Sequence, residues 1–80
     1  MDAYLFIEQM KQIAARWDRE AIAQDSIWCR RQAENHRFYA TRVAISLETL
    51  ESETASKFEK QSAIGQLNAF NLSYKQEVAS

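Results

Sequence analysis

The first 64 residues of this chain contain neither glycine nor proline; Gly65 is the one glycine, and there is no proline. Those two residues are the strongest punctuators of regular backbone structure. Over the same stretch alanine, glutamate, glutamine, arginine and leucine, all strong helix formers, recur throughout. The expected fold is therefore all-α, a single helical domain over residues 1–80, with 75–80 a polar tail that frays.

Composition narrows the class. The chain is 46% hydrophobic, too apolar for a disordered segment. Its one cysteine, Cys29, cannot form an intramolecular disulfide, which excludes a disulfide-stapled secreted scaffold. A net charge of −1 argues against a protein whose main task is coating nucleic acid. The start, Met-Asp-Ala-Tyr-Leu-Phe-Ile-Glu, lacks the basic region and long apolar stretch of a secretory signal. No run approaches the roughly 20 apolar residues of a membrane span. The expected setting is a reducing cytoplasm, with Cys29 a thiol and no membrane contact.

Helical periods are readable in two places. Phe6, Met10, Ile13 and Trp17 step by four, three and four, following Asp2, which can cap the first turn. Ala40, Val43, Leu47 and Leu50 step by three, four and three. A longer spacing links the two: Phe6, Trp17, Trp28, Tyr39 and Leu50 are each eleven residues apart. Eleven residues are close to three helical turns, so on an unbroken helix these side chains share a face with slow drift. The alternative is that they belong to separate helices and the spacing is accidental.

Two architectures follow. One is a single helix over about residues 3–51, roughly 70 Å long at 1.5 Å per residue. The other turns near Gln24-Asp25-Ser26, where Asp25 or Ser26 caps a second helix, giving a helical hairpin or three-helix bundle. The small size of the chain tips the balance to the turn. A later break is better marked, because Ser56-Lys57-Phe58-Glu59 is a capping-box pattern. A last helix is expected over about 56–74, with Ala63, Leu67, Phe70 and Tyr74 on one face. Gly65 inside it suggests a close approach by another helix. The alternation Phe-Asn-Leu-Ser-Tyr from Phe70 also fits a strand, but no partner strand is in sight.

Catalytic groups are hard to assemble. Cys29 and His36, seven residues apart on one helix, are separated by about 10 Å of rise, too far for proton transfer or a shared metal ion. Glu34 and His36 are two apart and point to different sides. No glycine-rich phosphate loop occurs. The chain is therefore read as a non-enzyme with no catalytic, metal or cofactor site and no cofactor.

What remains is association. Residues 26–42 carry Arg30, Arg31, Arg37 and Arg42 against Glu34, a balance of +3; residues 43–59 carry Glu48, Glu51, Glu53 and Glu59 against Lys57, a balance of −3. Such halves complement each other between antiparallel chains or across a hairpin. Tryptophan, tyrosine and arginine are also the residues most enriched at interface hot spots. The expected function is a helical protein–protein interaction module, working as a homodimer, a coiled coil, or a unit docked on a larger protein. Trp17, Trp28, Arg30, Arg31, Arg37, Phe38 and Tyr39 are the candidate partner-binding residues. An adaptor, a secretion or assembly chaperone, and a phage- or plasmid-encoded inhibitor all fit. The alternative is a small DNA- or RNA-binding regulator using Arg30–Arg42, with the acidic segment working against it.

Overall fold

A computed structural model describes residues 1–74; the expected frayed tail at 75–80 lies outside the described residues. The chain is all-α, with α1 over Ala3–Gln24, α2 over Ile27–Glu51 and α3 over Lys57–Ala69. Asp2 caps α1, its carboxylate accepting from Tyr4 N–H at 2.8 Å and Leu5 N–H at 3.1 Å.

The continuous helix over 3–51 does not form. Asp25 adopts the left-handed conformation, φ 51°, which ends α1. Aspartate tolerates that region better than most side chains, so the turn needs no glycine. Ser26 is then extended, and its hydroxyl caps α2 by accepting from Cys29 N–H at 3.2 Å. Two residues thus reverse the chain into an antiparallel hairpin.

The seam of that hairpin is built mostly from small residues. Ala14 and Ala21 of α1 and Cys29, Ala33 and Ala40 of α2 are all buried. Small side chains let two helix axes approach closely, since interaxial distance follows side-chain size. The larger residues of the α1 period, Phe6, Met10, Ile13 and Trp17, therefore stand on the flank of the seam and are only half-buried. On α2 the expected face is the core: Ala40, Val43 and Leu47 are buried, with Leu50 packed against them.

α3 begins where the capping box places it. Ser56 N–H donates to Glu59 Oε1 at 2.8 Å, and Glu59 N–H donates to Ser56 Oγ at 3.0 Å. The helix runs back along α2, burying Ala63 and Leu67. It does not continue to residue 74. Asn71 takes φ 57°, Asn71 N–H donates to Asn68 C=O at 2.9 Å, and Leu72 N–H donates to Leu67 C=O at 2.9 Å. This is a Schellman ending, with Leu72 and Leu67 in one apolar cluster. Phe70 and Tyr74 therefore lie beyond the helix rather than on its face.

The extended pattern after Phe70 does find a partner. Ser73 N–H donates to Met1 C=O at 2.8 Å and Ala3 N–H to Ser73 C=O at 3.0 Å, an isolated parallel bridge between Asp2 and Ser73. It locks buried Leu72 against Ala3, Ile7, Val43, Leu47 and Leu67. Gly65 permits no close approach, because a Cβ placed there meets nothing within 4 Å.

Gly65 has no positive φ and open space around it. Gly65→Ala is expected to stabilise the fold by about 0.5–1 kcal/mol in urea unfolding. Leu67→Ala is expected to cost about 2–5 kcal/mol in the same measurement, because it empties the joint between α3 and the hairpin.

Candidate interaction surface

At 1.5 Å per residue α2 is about 37 Å long and α3 about 20 Å, so α3 covers only part of α2. Its contacts mark the covered half: Gln66 accepts from Arg42 at 3.1 Å, and the Phe70 ring lies 5.9 Å from that of Tyr39. From Tyr39 toward the Asp25 turn, the hairpin is two helices without a third layer.

The eleven-residue series lies along that side of the hairpin, folded on itself by the turn. Trp17 of α1 meets Trp28 of α2 edge to face, centroids 5.1 Å apart and planes at 87°. Phe6 and Tyr39, the next members outward, both rest on Phe70, at 5.6 and 5.9 Å. His36 continues the row, 6.2 Å from Tyr39, with Nδ1 2.6 Å from the Gln32 carbonyl oxygen. The row is covered at the Phe6 end and open at the tryptophan end, where Trp28 is 59% exposed. Ile22 and Ile27, on either side of the turn, are also exposed.

The seven candidate residues separate into three settings. Trp17, Trp28 and Tyr39 belong to the aromatic row. Arg30 and Arg37 are turned to acids of the hairpin itself: Arg37 donates to Asp18 Oδ2 at 2.7 Å, and Arg30 lies 3.7 Å from Asp25. Arg31 and Phe38 lie on the outer face of α2, where the Arg42 guanidinium sits 5.7 Å from the Phe38 ring centre. The charge complementarity between segments is thus partly spent within the hairpin, but against Asp18 and Asp25 rather than against the acidic segment 43–59.

Residues outside the sequence-derived set complete the outer face. Ile45 is 54% exposed and stands between two grooves. One, of about 740 Å³, runs between α2 and α3 and is lined by Ile45, Thr49, Phe58 and Ser62, with Glu48 and Glu59 at its edges. The other lies against α1 beside Ala40, Thr41 and Ala44. Phe58, 77% exposed, carried a usable signal in the sequence: an aromatic in the first turn after a capping box, off the Ala63–Leu67 face. Cys29 is buried on the seam, and among the described residues no group of three His, Cys, Asp or Glu side chains gathers to hold a metal ion.

Tyr4 lies apart from both faces. Its hydroxyl donates to the Glu51 carboxylate, joining the start of α1 to the end of α2. That hydrogen bond, with lesser contributions from desolvation and nearby negative charge, pushes the Tyr4 phenol up from 10.0 to about 12. Comparison with protein-family models, curated proteins and solved structures gives no match to this chain.

Because the folded state favours the neutral phenol, the Tyr4 contribution is present in full below pH 10 and is lost as pH rises toward 12. Wild type is therefore expected to lose stability between pH 10 and 12 more steeply than Tyr4→Phe, measured by urea unfolding across that range.

Proposed function

We propose that this chain is a non-enzymatic helical interaction module whose open aromatic face binds another protein. The observation carrying this reading is Trp28, 59% exposed against half-buried Trp17 on the part of the hairpin that α3 leaves bare. A large aromatic held rigidly by its neighbour yet open to solvent has the properties of an interface anchor. An exposed aromatic of this kind on a small domain marks a contact site. The geometry suits occlusion: a hairpin tip projecting from the three-layered end can insert its aromatic edge into a groove or cover an apolar segment. Adaptor, assembly chaperone and inhibitor are all uses of that one act.

The nucleic-acid alternative draws less support. Arg30 and Arg37 already face Asp25 and Asp18, and the four arginines do not converge on one stripe. No helix among the described residues is long and apolar enough to cross a membrane.

Trp28→Ala is the decisive variant. The side chain is mostly exposed, so its loss is expected to cost about 0.5–1.5 kcal/mol of stability, the worth of the aromatic pair. Partner affinity, measured by calorimetric titration against the protein that wild type retains, is expected to fall by 2 kcal/mol or more. Unchanged affinity in a folded Trp28→Ala protein would remove the aromatic face from the reading.

A further inference from the structure

We infer that the outer face of α2 is a self-docking surface on which a second copy of this chain lies antiparallel, with Phe38 of each copy seated between Ile45 and Phe58 of the other. This rests on the reading of the chain as an interaction module and adds a second surface to it, distinct from the tryptophan face.

The face carries a projecting group and a receptor for it. Phe38 and Ile45 are seven residues apart, two turns and about 10 Å along the same side of α2. Phe38 is 56% exposed, and Ile45 is 54% exposed at the lip of the groove closed on its far side by Phe58. A two-fold axis crossing α2 at Thr41–Arg42, midway between them, brings each Phe38 opposite the other copy's Ile45. The contact is isologous and closes at two chains. α3 lies along only the C-terminal half of α2, so in this arrangement the two α3 helices occupy opposite ends and do not compete for space.

Charge selects the second copy as occupant. Arg31, two turns before Phe38 on the same face, and adjacent Arg37 flank the aromatic, while Glu48 and Glu59 edge the groove beside Ile45. Laid antiparallel, Arg37 approaches Glu48 of the second copy and Arg31 approaches its Glu59. A parallel arrangement opposes like charges at each of these positions, whereas the antiparallel one does so only at Arg42 beside the axis, whose guanidinium is engaged by Gln66 and the Phe38 ring. The Arg37 guanidinium spends one nitrogen on Asp18 and keeps further N–H donors for this contact.

Sedimentation and light scattering of the full chain test this. Wild type is expected at twice the 9.3 kDa chain mass. Phe38→Ala, Arg37→Glu and Glu48→Arg should each raise the dimer dissociation constant roughly tenfold or more while retaining the helical far-UV spectrum. Mixing Arg37→Glu with Glu48→Arg should restore the dimer, because both facing pairs are then of opposite sign. In a Cys29→Ala background, Thr41→Cys should form a disulfide-linked dimer across the axis, which reports the register without weakening the contact. Trp28→Ala should dimerise as wild type does. A monomeric wild type, a dimer that survives Phe38→Ala, a dimer lost in Trp28→Ala, or no rescue on mixing would each overturn the proposal. A monomer that still binds another protein through Trp28 would overturn self-docking alone and leave the interaction reading standing.

Discussion

The alanine seam between α1 and α2 governs most of what this protein presents to solvent. Ala14, Ala21, Ala33 and Ala40 let the helices meet closely, but they contribute little apolar area of their own. Burial stabilises in proportion to area, at about 25 cal/mol per Å². From Ala40 toward the turn the hairpin is therefore joined mainly by methyl groups and Cys29, with its large side chains on the flanks, whereas Ile7, Val43 and Leu47 fill the seam at the α3 end. Phe6 recovers burial there because Phe70, at the end of α3, closes over it. Trp17 and Trp28 have no such cover and bury mainly against each other.

The covered end is held by several coupled devices. The Schellman ending turns the chain at Asn71 so that Leu72 enters the core, and the bridge from Ser73 to Met1 and Ala3 holds it there. Tyr4 and Glu51 add a polar tie between the ends of α1 and α2. None of these reaches beyond the first third of α1. The molecule is accordingly long, 47 × 24 × 19 Å, with a three-layered end and a two-layered end. Local opening free energies follow burial and contact density, so hydrogen exchange should rank the tip residues as the more readily opened.

How far these features were legible in the sequence depends on whether their cause was local. The capping box at Ser56 and Glu59 and the Asp2 cap were readable because a side chain within three residues satisfies the backbone. The turn at Asp25–Ser26 was only a candidate, since a left-handed aspartate leaves no signature as strong as glycine. Asn71 was missed for the same reason: an asparagine in a helical pattern reads as surface, and only the demand of Leu72 for the core reveals the turn. Gly65 misled in the other direction, having a composition signal and no packing role. The eleven-residue spacing was legible as a face, but its folding onto itself at Trp17 and Trp28 needed the turn. Of the candidate surface, the tryptophans and Phe38 were visible as residue types. Phe58 carried a local signal beside its capping box, but Ile45 did not, and their groove is made by two helices that the sequence does not place side by side.

The two exposed faces also answer the question raised by the charge pattern. Arg30 and Arg37 face acids within their own hairpin, the Arg37–Asp18 contact half-open to water and the Arg30–Asp25 contact almost fully so, and such pairs are worth little each. Arg31, Glu48 and Glu59 lie along the outer face with Phe38 and Ile45 between them. Charges around an apolar centre contribute orientation more than affinity, because the desolvation of each offsets much of its attraction. The tryptophan face is centred instead on the Trp17–Trp28 pair, with Gln32 one turn on from Trp28 and the hydrogen-bonded Glu20 and Gln24 along α1 from Trp17. A surface that must fix one register uses charge, whereas one that must cover a partner's apolar segment uses aromatic area. Under the two proposals the labour divides accordingly, the outer face of α2 going to a second copy and the tryptophan face to a different protein.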